Sequence, residues 1–183
     1  PSTLRDDQRI VETLEAFRSS DSVELKLTVR DTEQGAAIRS LGMDVLDAEF
    51  RQVVFFDTLD LKLSQAGVVV RARGVHKGGD TVVKLGPIVP TEVAGNLRRS
   101  GSFTIEVDVM PHAFVCSGAL KGKASNADIN AALQEKLPIR KLFTSEQRFV
   151  YKQHAPKGLS LDDLTPFGPI NVARLKFSPA ALR

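Results

Sequence analysis

The residues best able to do chemistry stand at alternate positions in three short segments: Glu24-x-Lys26 continuing to Arg30, Arg71-x-Arg73, and Glu106-x-Asp108. In an extended strand successive side chains point to opposite sides, so each set shares one face. Guanidinium forks match phosphate oxygens two at a time, and a lysine ammonium adds a mobile point charge. Carboxylates hold hard cations such as Mg²⁺ or Mn²⁺, which polarise a phosphoryl group or position water. Interleaved cations and acids are therefore the materials of a phosphate site. The same pattern also fits the wet face of a half-exposed sheet, where a pair such as Glu24 and Lys26 is worth under ~1 kcal/mol. Alternation leaves both readings open.

The elements that must carry these residues read as mostly short strands. Arg5 to Arg18 predicts a helix, with Ile10, Val11, Leu14 and Phe17 near helical spacing. Ser22 to Arg30 alternates strictly, Val23, Leu25, Leu27 and Val29 opposing Ser22, Glu24, Lys26, Thr28 and Arg30. A short helix over Thr32 to Leu41 and a strand over Glu49 to Asp57 follow. Helical turns from Leu59 to Ala66 end at Gly67, and Val68 to Gly74 pairs through a Gly78-Gly79-Asp80 turn with Thr81 to Leu85. Pro87 to Ser100 is a connection and Ser102 to Met110 an alternating strand. Pro111 to Lys123 reads as loop with a helical turn, and Asn126 to Leu137 as a helix stopped by Pro138. Three last strands are expected over Arg140 to Lys152, Gly158 to Leu164 and Ile170 to Phe177. About eight strands with few helices predict an α+β domain built on an antiparallel sheet or barrel. Without an internal repeat or linker, residues 1–183 read as one domain.

Composition narrows the partners. The formal charge of +3, from 25 Lys and Arg against 22 Asp and Glu, is too small to argue for nucleic acid. Trp is absent and aromatics are 6%, so a base-stacking platform is poorly supplied. No segment approaches the roughly 20 apolar residues of a membrane helix. Charges at Arg5, Asp6, Asp7 and Arg9 with no apolar run beside them predict no secretory leader. Cys116 is the single cysteine, which rules out an internal disulfide and makes a reducing cytoplasm the expected setting. It lies in an apolar run and reads as a small buried hydrophobe. His76, His112 and His154 are dispersed and have no zinc spacing.

Taken in order, the motifs resemble those of the CYTH domains, or triphosphate tunnel metalloenzymes. Glu24-x-Lys26 is similar to the end of that family's E-x-E-x-K signature, and Phe55-Phe56-Asp57-Thr58-Leu59-Asp60 to its aromatic-D-T-P-D turn. Leu63 to Gly67, Arg71-x-Arg73, Thr81 to Lys84 and Glu106-x-Asp108 resemble the segments that follow. Arg148 stands where the family has the arginine of K-x-R, and Asp162 where it has a late strand acid. The match runs from about Val23 to Lys176. It implies an eight-stranded antiparallel β-tunnel, helices packed outside, holding a triphosphate-like anion. Under that resemblance Lys26, Arg71, Arg73, Lys84, Arg148, Arg174 and Lys176 would contact phosphate, and Glu24, Glu106, Asp108 and Asp162 would hold Mg²⁺ or Mn²⁺.

The chain also departs from the pattern. Ser22 replaces the first glutamate, Glu146 replaces the lysine of K-x-R, and the last strand carries Val172, Arg174 and Lys176 where the family has metal-binding glutamates. The leading expectation is binding of a triphosphate, polyphosphate or nucleoside triphosphate in the basic tunnel, with metal-assisted hydrolysis of a triphosphate as its potential activity; the alternative is a non-catalytic anion-binding or regulatory module, and ATP cyclisation of the class IV type ranks lower. No catalytic residue is assigned. Neither a nucleic acid nor a membrane is expected as a partner.

Overall fold

The computed structural model describes residues 11, 14–76, 78–111 and 113–175. Seven strands form one mixed sheet: β1 (Ser22–Leu25), β2 (Glu49–Asp57), β3 (Val68–Val75), β4 (Gly78–Leu85), β5 (Phe103–Met110), β6 (Ala113–Ala124) and β7 (Thr165–Arg174). Their spatial order is β1-β5-β6-β4-β3-β2-β7. Neighbours are antiparallel except β1 and β5, which run parallel with Glu24 beside Asp108. The expected eight-stranded antiparallel barrel is therefore corrected to an open seven-stranded sheet with β1 and β7 at its edges. Edge character is written into β7 by Pro166 and Pro169, which have no N–H to give a further neighbour.

Among the described residues, three complete helices of seven residues or more accompany the sheet: α1 (Gln34–Ser40), α2 (Asn126–Leu133) and α3 (Ser145–His154). The segment expected as a strand over 140–152 is a 3-10 turn, Ile139–Leu142, followed by α3. Its aromatic and β-branched residues favour a strand, but Thr144 and Gln147 form a reciprocal capping box that starts a helix. Gln147, Val150 and Tyr151 then fall on one buried face. The strand expected over 158–164 is likewise a capped 3-10 turn, Leu161–Asp163. These two changes remove strands that closure would need.

The opposite correction applies to 111–123, expected as loop and found as the longest of the seven strands, β6. Its Gly118 and Gly122 hide the alternation, and both are required by close approach. A Cβ at Gly118 would lie 2.5 Å from the Phe103 ring, and one at Gly122 2.5 Å from the Gln147 amide oxygen. Strand β1 is shorter than expected: only 22–25 of 22–30 are strand, and Leu25 at its end and Leu27 beyond it stay exposed. The hairpin turn precedes Gly78, so the glycine pair belongs to β4. Of the first expected helix, 14–18 are helical, and the rest of 5–18 except 11 lies outside the described residues.

One sheet face is the core. Val54, Phe56, Val70, Ala72, Val83, Ile105 and Leu120 pack there against Ile129 and Ala132 of α2, Leu142, Phe143, and Val150 and Tyr151 of α3. Gln147 is fully buried among them. Its amide donates to the Thr81 and Leu120 carbonyls at 3.0 Å, and its oxygen accepts from the Thr81 hydroxyl. A smaller cluster joins Ala16, Val107 and Cys116, and burial pushes the Cys116 thiol up. Covering this face with helices leaves the other sheet face for polar side chains. Among the described residues no helix is long and apolar enough to cross a membrane.

Candidate functional site

Strand parity decides which charges meet. Cross-strand partners point to the same side, and the registers carry one face across the whole sheet. Arg73 lies opposite Val53 and Asp80, Arg71 opposite Phe55 and Val82, and Lys84 opposite Ala119. On β5 and β6, Glu106 faces Ser117 and Asp108 faces Val115, and on β7 Arg174 faces Glu49. Of the residues singled out from sequence, Glu24, Lys26, Arg71, Arg73, Lys84, Glu106, Asp108 and Arg174 share this face. The side opposite the core is a charged surface.

Lys84 spans β6 to reach β5. The two strands flanking β6 are about 10 Å apart, and the small Ser117 and Ala119 between them leave the path clear. The Lys84 ammonium stands 3.3 Å from Glu106 and 3.4 Å from Asp108. Lys26 adds a contact of 2.6 Å to Asp108, and Lys121 one of 3.0 Å to Glu106. Burial works to raise both acids, but the lysines outweigh it: Lys121 and Lys84 hold Glu106 below its ordinary value, and Lys26 and Lys84 hold Asp108 below its own. This half of the face is a closed ion cluster.

The other half is rich in arginine. Arg73 donates from Nε to Asp80 at 2.8 Å, and Arg51 pairs with Glu49 at 2.6 Å. Arg174 approaches the same Glu49 at 3.8 Å. Arg71 differs. Its row offers Phe55 and Val82, so no acid stands directly across from it. Among the described residues it makes no ion pair, while its Nε, like that of Arg51, is enclosed without a hydrogen-bond partner. Burial, then the neighbouring Arg73, disfavours its charged form and pulls its pKa down, against the more distant attraction of Asp80, Glu106 and Glu24. Arg51, Arg71, Arg73 and Arg174, with Phe55 and Val172, line an open pocket of about 490 Å³.

Two residues assigned from sequence are not on this face. Arg148 is on α3, donating to the Phe143 carbonyl at 2.5 Å. Asp162 sits in the Leu161–Asp163 turn, accepting from the Arg140 backbone at 2.9 Å and pairing with its guanidinium. Both follow from the helical turns that replace the expected strands. Lys176 lies outside the described residues. Glu146, also on α3, lines a different cavity of about 510 Å³ with Ile88, Leu97 and Phe149. Sequence reasoning missed Arg51, Asp80 and Lys121. Arg51 shares parity with Val53 and Phe55, and Lys121-x-Lys123 alternates, so a strand reading of 113–124 would have found the lysines.

No family model matches the chain, and no curated protein matches it in sequence. Among solved structures the chain is similar to a Bacillus halodurans protein described as a putative adenylate cyclase. The TM-score is 0.54 at 14% identity, over 82% of this chain and 63% of that one. The likeness supports a CYTH-like fold. At this identity it speaks for the fold alone, and the chain spans less than two thirds of its neighbour.

The resemblance implies Mg²⁺ or Mn²⁺, and the carboxylates do not fit that role. Glu106 and Asp108 are each held by two lysines, and Asp162 is away from the face. Among the described residues no group of three His, Cys, Asp or Glu side chains is placed to hold a metal ion. What the arrangement offers is a set of guanidinium and ammonium donors.

Proposed function

We propose that this chain binds a phosphorylated anion, a triphosphate, polyphosphate or nucleoside triphosphate, on the charged face of its sheet with Arg71 as anchor. One observation carries the reading: Arg71 has an enclosed Nε without a partner and no acid within ion-pair distance among the described residues. An orphaned charged donor is costly unless something fills its place, and a phosphate oxygen is the acceptor a guanidinium fork matches. The surplus of cations on this face agrees. Lys26, Arg51, Arg71, Arg73, Lys84, Lys121, Lys123 and Arg174 stand against Glu24, Glu49, Asp80, Glu106 and Asp108.

Binding without catalysis is favoured over metal-assisted hydrolysis, because lysines occupy the carboxylates of Glu106 and Asp108. ATP cyclisation, the activity in the fold neighbour's description, ranks lower. Titration calorimetry with tripolyphosphate and ATP tests the proposal, with phosphate release and cyclic AMP followed in parallel. Binding without turnover is expected, and Arg71→Ala should cost ~1.5–3 kcal/mol, the range for a lost hydrogen bond to a charged group. Equal affinity in the variant would remove Arg71 from the site.

A further inference from the structure

We infer that the sheet face takes its anion without a divalent metal, because Lys84 stands between the two carboxylates that a metal would need; this rests on the anion reading above. Glu106 and Asp108 are two residues apart on β5 and point the same way, the natural start of a cation site. Lys84 bridges them at 3.3 and 3.4 Å, and Lys26 and Lys121 close the outer sides at 2.6 and 3.0 Å. Asp108 Oδ1 alone is left enclosed without a donor. Mg²⁺ is usually held by one or two carboxylates, with water and phosphate completing its octahedron, and here each carboxylate is already held by two ammonium groups. Glu24, beside Asp108 in register, is exposed and on the four-residue edge strand.

A divalent ion entering here would have to push Lys84 into a face already rich in cations. Mg²⁺ would instead meet the anion in solution. Bound there, it cancels part of the negative charge that the arginines recognise. The expected effect of magnesium is thus the reverse of a metal-assisted site: it weakens the complex.

The full chain is titrated with tripolyphosphate in EDTA and again in excess Mg²⁺. Binding in EDTA with a Kd equal to that in Mg²⁺, or severalfold tighter, supports the inference. Binding that appears or tightens only with Mg²⁺ overturns it and leaves the anion reading standing. No heat in either buffer brings down the anion reading and this inference with it. Mn²⁺ electron paramagnetic resonance on the chain alone gives an arm independent of the anion. The signal of free aqueous Mn²⁺ should persist on adding protein, and its loss at low Mn²⁺ would overturn the inference.

Discussion

Between β4 and β5 of the charged face, Lys84 has carboxylates at 3.3 and 3.4 Å, and Lys26 and Lys121 each have one within 3.0 Å. Between β2 and β4, Arg71 has none, and its enclosed Nε bonds to nothing among the described residues. Both regions belong to one sheet and one strand parity, so the difference lies in what the neighbouring strands supply. The small Ser117 and Ala119 of β6 let Lys84 cross to Glu106 and Asp108 on β5. Strand β2 places Val53 and Phe55 beside the arginines, which provide shape and no charge. The lysine region is complete by itself. The arginine region leaves a guanidinium without an acid, the feature on which the proposed anion site rests.

The largest effect that would break this contrast is in the arginine region. Arg71→Ala should lower tripolyphosphate affinity by ~1.5–3 kcal/mol and leave the melting temperature unchanged or raised, since an unpaired charge is removed. In the lysine region the same kind of change should act on folding. Lys84→Met leaves Glu106 and Asp108 short of a partner and should cost about 1–2 kcal/mol of stability in denaturant unfolding. A variant as stable as the parent would mean that the cluster contributes nothing.

Acid should find the lysine region next. Glu106 and Asp108 titrate lower when folded than when unfolded, despite burial, because of their lysines. Their contribution is present above the unfolded values of ~4.3 and ~3.9 and is lost as pH falls through the lower folded values. Melting temperatures followed downward from pH 6 should decline below about pH 4. Lys84→Met should flatten part of that decline. The smallest effect belongs to Lys121, which is half-exposed. Lys121→Ala should cost ~0.2–1 kcal/mol and lose even that in high salt.

How far the sequence reached depended on period. Glu24, Lys26, Arg71, Arg73, Glu106 and Asp108 lie in segments where alternation is unbroken, and the structure puts them on one face. Strand β6 was illegible because Gly118 and Gly122 make way for Phe103 and Gln147, a demand set by distant residues. Arg148 and Asp162 were placed by analogy with strands, while the local signals, Thr144 with Gln147 and Ser160 with Asp163, were helix starts that went unread. Closure was not legible at all. Neither the parallel pairing of β1 nor the edge position of β7 leaves a periodic mark, although Pro166 and Pro169 hint at the latter.

The position of a bound phosphate tests the proposed site most directly. A crystal structure of the chain with tripolyphosphate should show phosphate oxygens within hydrogen-bond distance of the Arg71 guanidinium, in the pocket it shares with Arg51, Arg73 and Arg174. Tripolyphosphate bound elsewhere on the molecule, with Arg71 still unpartnered, would contradict it.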